Sequence, residues 1–149
     1  MARFEPENHV DIVVEGYVRS DAVLPLVVVG SAPYSGAYTE RIASLADERV
    51  RLPGGIWDQE LLDQLYAGAL VYYHGHSVGG TNPSLLRAIG AGAAVDAFDV
   101  SFNREVLGEA DRYWSDADDV AGLVDSAEAD PAAQLERGAR SLERARLYD

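Results

Sequence analysis

The sequence contains no cysteine, which excludes disulfide bonds, thiolate metal sites and cysteine nucleophiles. It also lacks an apolar run that could cross a bilayer. Its longest runs, Val23–Val29 and Ala69–Tyr73, fall far short of the roughly 20 residues of a spanning helix. Met1 is followed at once by a charged stretch and not by an apolar leader. Together these absences favour a cytoplasmic globular protein.

Positive charge is scarce in this chain. Its 149 residues include 12 basic and 25 acidic side chains, which gives a formal net charge of −13. Nucleic-acid binding depends on lysine and arginine to neutralise phosphates, so a nucleic-acid partner is excluded. Any anion-binding site must then be local, made from a few arginines and backbone amides.

Three common catalytic motifs are also missing. The sequence has no nucleophile elbow with a Ser-His-Asp order, no Walker lysine motif and no Gly-x-Gly-x-x-Gly fingerprint. Their absence argues against hydride transfer and phosphoryl transfer.

What the sequence does contain is a regular alternation of helical and strand-like segments. Strands are predicted in residues 24–32, 49–56, 70–75, 93–100 and 111–115. Helices are predicted in residues 8–20, 38–46, 57–69, 83–92, 116–129 and 131–147. This alternation predicts an α/β fold, a Rossmann-like parallel sheet with helices on both faces. The continuous apolar run in 24–32 predicts a strand buried on both faces.

The same fold class predicts where a ligand binds. In open parallel sheets ligands lie beyond the carboxyl ends of the strands. That rule selects Gly30–Ser31, Gly54–Ile56, Gly75–Pro83 and Asp99–Arg104. Only a stub of strand precedes the first predicted helix, where this architecture has a full one. We therefore expect residues 1–149 to be one domain, cut at both ends, and one half of a larger protein.

The loop before residue 83 has the features of an anion cradle. Asn82 is a good N-cap and Pro83 suits the first helical position, so a helix is predicted to begin there. Gly79 and Gly80 allow a bound group to approach the backbone and the free N–H groups of the helix. The alternative interpretation is a tight strand-to-helix turn that binds nothing.

Several single residues admit two interpretations. His74 and His76 have the spacing of metal ligands on one side of a strand, but a zinc or iron site needs a third ligand, so a ligand-binding histidine beside a packing one is favoured. Arg87 is either directed toward a phosphate or exposed, and Trp57 either stacks on a base or caps the core. Asp96 is unexpected in a buried strand, because an isolated buried carboxylate is unstable.

Five stretches together resemble the C-terminal, nucleotide-sugar-binding half of GT-B glycosyltransferases. The likeness is to the large retaining group 1 family and, within it, to bacterial rhamnosyltransferases. The stretches are residues 2–9, 27–34, 50–70, 72–92 and 98–108, of which "HGHSVGGTNPSLLRA" is the most specific.

The resemblance implies a protein of two Rossmann-like domains with the active site in the cleft between them. This chain would be the donor-binding half, with the N-terminal acceptor domain and the usual final crossing helix absent. The implied reaction transfers a sugar from a nucleotide-diphosphate donor, for which dTDP-rhamnose is the expected example, to a polysaccharide or lipid-linked acceptor. Membrane contact is expected only through that acceptor or the missing half, and the isolated chain is expected to be inactive.

The resemblance also implies roles for individual residues. Arg3 matches the basic residue that grips the diphosphate, and Asn8 stands where the family often has a lysine. The family's phosphate-binding loop is matched by Gly79, Gly80, Thr81 and Asn82. The segment that lines its base pocket is matched by Gly55, Ile56 and Trp57. Glu105 matches the glutamate that follows the next strand. Arg3 and His76 are assigned to catalysis.

One departure concerns the two glutamates that the wider family carries eight residues apart. Arg87 occupies the place of the second, and His76 and Ser77 lie near the place of the first. A cationic Arg87 favours a diphosphate over a ribose. No metal cofactor is expected, because Arg3, the loop amides and the helix dipole can stabilise a leaving diphosphate.

Three other functions fit the sequence. The chain could be a non-catalytic nucleotide-binding module, a hydrolase with a metal at His74 and His76, or a Rossmann-like domain whose loops bind nothing.

Overall fold

The structure is a computed structural model. It describes residues 2–4, 6–31, 36–77, 83–108 and 112–148, and of Ala2, Arg3, Ser31 and Tyr148 it describes the backbone.

Strands and helices alternate along the chain, as predicted. The strands are β1 (Ala2–Arg3), β2 (Leu26–Ser31), β3 (Val50–Gly54), β4 (Tyr72–His74), β5 (Val95–Phe98) and β6 (Arg112–Trp114). The α-helices are α1 (Val10–Arg19), α2 (Ala37–Leu45), α3 (Gln59–Gly68), α4 (Pro83–Gly90), α5 (Ser101–Leu107), α6 (Ala117–Ala129) and α7 (Pro131–Ala145). Short 3₁₀ turns span Pro6–Asn8 and Arg146–Tyr148.

Helix α5 is the element that the sequence analysis missed, because it treated Asp99–Arg104 as a loop. The helix has seven residues, and its N-cap, Val100, makes no side-chain capping bond. It therefore has neither a capping side chain nor an acidic residue in its first turn, the two features that usually mark a helix start. Asp58, in contrast, caps α3 as predicted, because its carboxylate accepts from the amides of Glu60 and Leu61 at 3.0 and 3.2 Å.

All the strand pairs within the described ranges are parallel, but they form two sheets. One contains β1, β2 and β3, and the other contains β4, β5 and β6. We predicted a single sheet, and in the described part of the chain no strand joins β2 to β4.

The prediction that β2 is buried on both faces is wrong in part. Val29 is buried, but Val27 is 42% exposed. The reason lies in the pairing, since β1 pairs with Gly30 and Ser31, and no strand of the described residues lies beside Leu26–Val29 on that side.

Apolar clusters lie on both faces of the strands. On one face α3, α4 and α5 pack on β5 through Tyr66, Leu85, Ile89 and Val106. On the other face α1 and α6 pack around Trp114. None of the helices in the described ranges has both the length and the apolar character needed to cross a membrane.

Asp96, which the sequence left unexplained, is neutralised by arginines. Its carboxylate is fully buried and lies 2.7 Å from Nη2 of Arg137 and 3.5 Å from Nε of Arg112. Arg137 also donates to the carbonyl of Val95 and to the side chain of Gln134. The ion cluster thus fastens α7 to β5.

Candidate functional site

The carboxyl ends of β1 and β4 are joined by direct hydrogen bonds. The amide and hydroxyl of Ser77 both donate to the carbonyl of Glu7, at 3.1 and 2.8 Å. The ring Nδ1–H of His9 donates to the carbonyl of Gly75 at 2.8 Å. These bonds hold residues 75–77, which follow β4, against the turn that follows β1.

Gly75 makes this close approach possible. A Cβ at this position would lie 2.0 Å from the carbonyl oxygen of Asn8. Any larger residue would push the two segments apart, so glycine is required here by the contact itself.

His76 and Asn8, both predicted site residues, lie in contact. The Nδ1–H of His76 donates to Oδ1 of Asn8 at 2.9 Å. Because that bond occupies Nδ1, the ring presents Nε2 for a ligand, as an acceptor when neutral and as a donor when charged. The side-chain amide of Asn103, itself buried, donates to the backbone carbonyl of His76 at 3.2 Å.

His9 and Asn103 were not recognised from the sequence. Each acts on the His76 loop from a residue far along the chain, His9 through Gly75 and Asn103 through His76 itself. No local pattern marks such long-range hydrogen bonds, so the sequence carried no signal for them.

His74 is the packing histidine of the pair. It is 2% exposed, and its Nδ1 lies 3.0 Å from the hydroxyl of Tyr72. Burial lowers the pKa of His74 to about 3, so the ring is neutral at physiological pH. Its ring centroid lies 6.3 Å from that of His76. Among the described residues no cluster of three or more histidine, aspartate or glutamate side chains could hold a metal.

The predicted base-pocket segment contains an exposed aromatic. Trp57 is 78% exposed, in the loop between β3 and α3. Its ring lies over Gly55, where a Cβ would come within 2.3 Å of the indole. An indole held in this way has a face available for stacking.

One cavity of 1110 Å³ brings five of the predicted residues together. Its lining includes Asn8, Gly55, Ile56, Trp57 and His76. The cavity continues between β2 and β4, beneath α1 and α3.

Arg87 is held away from this cavity's lining. Its Nε lies 2.7 Å from Oδ1 of Asp63 on α3, and its Nη2 reaches the carbonyl of Gln59 at 3.4 Å. The hydrogen bond that Arg87 donates to the carboxylate of Asp63 raises the pKa of Arg87, so this side chain stays charged.

Glu105 lies on α5 and its side chain is exposed, outside the lining of the cavity. Its backbone carbonyl accepts from Nη2 of Arg144 at 2.8 Å. Nearby, Arg104 makes a two-point ion pair with Asp99, at 2.6 and 3.0 Å. That pair lowers the pKa of Asp99.

The remaining predicted residues are described only in part. Arg3 ends β1, as expected, and its side chain lies outside the described part of the structure. Gly79, Gly80, Thr81 and Asn82 also lie outside the described residues. The helix predicted to follow them does begin at Pro83.

Comparison with solved structures gives close matches in fold. The chain matches Anabaena Alr3699/HepE in complex with UDP with a TM-score of 0.85 and 17% identity, over 99% of this chain and 43% of that one. It matches the catalytic domain of cholesterol-alpha-glucosyltransferase from Helicobacter pylori with a TM-score of 0.84 and 17% identity, over 100% and 96% of the two chains. It matches sucrose-phosphate synthase (tll1590) from Thermosynechococcus elongatus with a TM-score of 0.83 and 24% identity, over 99% of this chain and 39% of that one.

No protein-family model matches the chain, and no curated protein matches it in sequence. The chain spans 43% of the length of the Alr3699/HepE chain. At these identities the matches establish the fold, and they confirm the predicted Rossmann-like α/β domain of the GT-B type.

Proposed function

We propose that this chain binds a nucleoside-diphosphate sugar as the donor domain of a glycosyltransferase. The observation that carries the proposal is the cavity that Asn8, His76 and the segment 55–57 share at the carboxyl ends of parallel strands. Ligands of doubly wound folds bind at that edge. The likeness to proteins solved with UDP and with UDP-glucose supports the nucleotide class.

The base is proposed to stack on Trp57. The exposed indole and the small residue beneath it, Gly55, leave room for a planar ring, and Ile56 adds apolar surface. Glu105 is the proposed acceptor for a sugar hydroxyl, which its exposed position on α5 allows.

The diphosphate is proposed to lie between Arg3 and the start of α4. The segment Gly79, Gly80, Thr81 and Asn82 would supply amides, and the positive end of the helix dipole at Pro83 adds to them. Arg87 would have to break its ion pair with Asp63 to contact a diphosphate. We therefore propose that Arg3 is the main cation that stabilises the departing diphosphate.

These groups stabilise the negative charge that builds on the leaving diphosphate, without a metal ion. We expect sugar transfer by the complete enzyme to persist in EDTA. Strict dependence on a divalent metal would contradict this part of the proposal.

His76 is proposed to contact the donor sugar. Asn8 fixes the tautomer and the orientation of the His76 ring. Its Nε2 is then available to hydrogen-bond a sugar hydroxyl or to interact with the charge that develops on the transferred sugar. The finer assignment is a retaining transfer of rhamnose from dTDP-rhamnose to a polysaccharide or lipid-linked acceptor. That reaction requires an N-terminal acceptor domain in addition to these residues.

The ion pair of Arg87 favours a second candidate, a module that binds nucleotide without turnover. In the family that the sequence resembles, a glutamate that contacts the sugar stands at this position. Here Arg87 stands there and forms an ion pair with Asp63. The two candidates separate in a transfer assay with an acceptor domain present, because only the first predicts a glycosylated product.

Calorimetric titration with dTDP, UDP and GDP tests the binding proposal. We expect one nucleotide to bind saturably and Arg3→Ala to weaken it at least tenfold, since a charged contact to phosphate is lost. Arg140→Ala is the matched control, because Arg140 is exposed on α7. Loss of binding in the control variant, or no binding to the wild-type chain, would contradict the proposal.

A further inference from the structure

Three hydrogen-bonded pairs join the segment that follows β4 to the turn that follows β1. The pairs are Ser77 with Glu7, His76 with Asn8, and Gly75 with His9. They form a clasp in which the two segments run in opposite directions. The pair of Gly75 and His9 lies at the inner end of the clasp, because Gly75 directly follows the buried end of β4.

The ring of His9 is anchored to the sheet that contains β4, β5 and β6. It stacks on Phe98, with 4.0 Å between the ring centroids and 8° between the planes. It also meets Trp114 edge-on at 6.4 Å. Phe98 and Trp114 are the last residues of β5 and β6. The ring therefore has a fixed place against this sheet, from which its Nδ1–H donates to the carbonyl of Gly75 at 2.8 Å.

The backbone of His9 is strained. Its φ of 52° and ψ of 32° are left-handed, and within the described ranges no other residue except glycine has a positive φ. A side chain makes this conformation costly, whereas glycine adopts it freely. His9 is also the N-cap of α1, but its side chain makes no capping bond. Since neither the turn nor the helix start requires an imidazole, the strain points to a role of the ring in the site.

The contact with Gly75 controls where the next residue lies. Asn8 directs the ring of His76, and Asn103 holds its backbone carbonyl. Gly75, however, is the residue through which the chain leaves β4, so a shift of Gly75 away from His9 moves the backbone of His76 with it.

We propose that His9 is a positioning residue of the candidate nucleotide-sugar site. Its Nδ1–H holds Gly75, and Gly75 in turn places His76 where Nε2 meets the donor. The inference rests on the proposed function, and it assigns no contact between His9 and the ligand. It predicts that the hydrogen-bond donor of this side chain determines ligand affinity, whereas the aromatic stack contributes to stability alone.

Three substitutions separate the hydrogen bond from the stack. In His9→Asn the new side chain tolerates the left-handed conformation and carries an amide N–H near the place of Nδ1–H, but it has no ring. In His9→Phe the ring that stacks on Phe98 is kept and the donor is lost. In His9→Gly the backbone conformation is kept, and both the ring and the donor are lost.

Calorimetric titration with dTDP, UDP and GDP compares these variants with the wild type. We expect His9→Asn to bind within about twofold of the wild-type affinity, and His9→Phe and His9→Gly to bind at least about fivefold more weakly. The reason is that loss of the hydrogen bond lowers the fraction of molecules whose loop is in place, so the apparent Kd rises in proportion. Val120→Ala is the control for stability. It leaves a cavity beneath a buried residue of α6 outside the site's lining, so it should lower Tm and keep the affinity.

Amide exchange in the free chain reports on the clasp without any ligand. The amide of Ser77 is hydrogen-bonded across the clasp at 3.1 Å. It should exchange at least about fivefold faster in His9→Phe and His9→Gly than in the wild type, and at about the wild-type rate in His9→Asn. The amide of Tyr72, which donates to the carbonyl of Ala94 at 2.8 Å, is the internal control and should keep its rate.

Wild-type affinity together with wild-type exchange of Ser77 in His9→Gly would overturn the proposal. Equal weakening in His9→Asn and His9→Gly would also overturn it, because the ring and not the hydrogen bond would then determine affinity. Failure of the proposed function looks different: none of the three nucleotides binds the wild-type chain. In that case the exchange of Ser77 alone decides whether His9 positions the loop.

Discussion

At the scale of single residues, the candidate site depends on neighbours that lie far apart in the sequence. His76 is oriented by Asn8, and its loop is held by His9 and Asn103. The sequence predicted that Asn8 and His76 belong to the site, but not that one side chain orients the other. Residue types and local spacing are visible in a sequence, whereas a hydrogen bond across 68 positions is visible only once the fold is known.

Trp57 offers a direct optical test of base binding. The chain has two tryptophans, of which Trp57 is 78% exposed and Trp114 is 1% exposed. If a base stacks on the indole of Trp57, nucleotide addition should quench the fluorescence of the Trp114→Phe variant. The same addition should leave Trp57→Ala, which retains only Trp114, unchanged. Equal quenching in both variants would contradict stacking on Trp57.

His74 predicts a pH dependence of stability. Burial lowers its folded pKa to about 3, against about 6.5 in the unfolded chain. The unfolded state therefore binds the proton first, so this contribution is complete above about pH 6.5 and is lost as the pH falls toward 3.

The measurement is the free energy of unfolding in urea at pH 7.5 and pH 5.0. Between these values the wild type should lose about 2 kcal/mol more than His74→Gln, which cannot titrate. The variant controls for the carboxylates, which titrate in both proteins. Identical losses in the two proteins would show that His74 does not titrate abnormally.

At the scale of elements, local patterns were sufficient wherever an element carried its own signals. The apolar period marked α1, and Asp58 marked the start of α3. Helix α5 was not predicted, because Val100 provides no capping side chain and seven residues are too few to show a helical period. Helix α1 shows a further feature that periodicity does not predict, a glycine at a helix contact.

Gly16 lies where α1 crosses α6. A Cβ on it would come within 2.5 Å of Cβ of Val120 and 2.6 Å of the carbonyl of Ala117. We expect Gly16→Ala to destabilise the protein by about 1–3 kcal/mol through overpacking. Gly122, in α6, is the matched control: nothing would lie within 4 Å of its Cβ, so Gly122→Ala should stabilise by up to about 1 kcal/mol. Urea denaturation measures both, and a stabilising Gly16→Ala would contradict the close packing.

At the scale of the whole molecule, the fold class was predictable and the division of the sheet was not. Alternation of helix and strand predicts parallel strands between helices, and that is what forms. Among the described residues no strand joins β2 to β4, and the alternation of segments does not predict that division. The same holds for Asp96, whose partners Arg112 and Arg137 are 16 and 41 positions away.

The Asp96 cluster predicts how firmly α7 is attached. Arg137→Met removes the closer cation and leaves a buried carboxylate short of charge, so it should destabilise by about 3–5 kcal/mol. Arg19→Met breaks two surface ion pairs, with Glu15 and with Asp118, and should cost less than about 1 kcal/mol. Adding Asp96→Asn to Arg137→Met should restore part of the loss, because the uncompensated charge is gone. Equal losses for the buried and the exposed arginine would contradict this assignment.

The central claim is that a nucleoside diphosphate binds where the segments that follow β1 and β4 are joined by hydrogen bonds. Hydrogen–deuterium exchange of the chain, with and without a saturating nucleotide, tests it most directly. The account predicts slower exchange in residues 7–8, 55–57 and 75–77, with α7, which contributes nothing to the cavity lining, unchanged. Unchanged exchange throughout, or protection confined to α6 and α7, would contradict it.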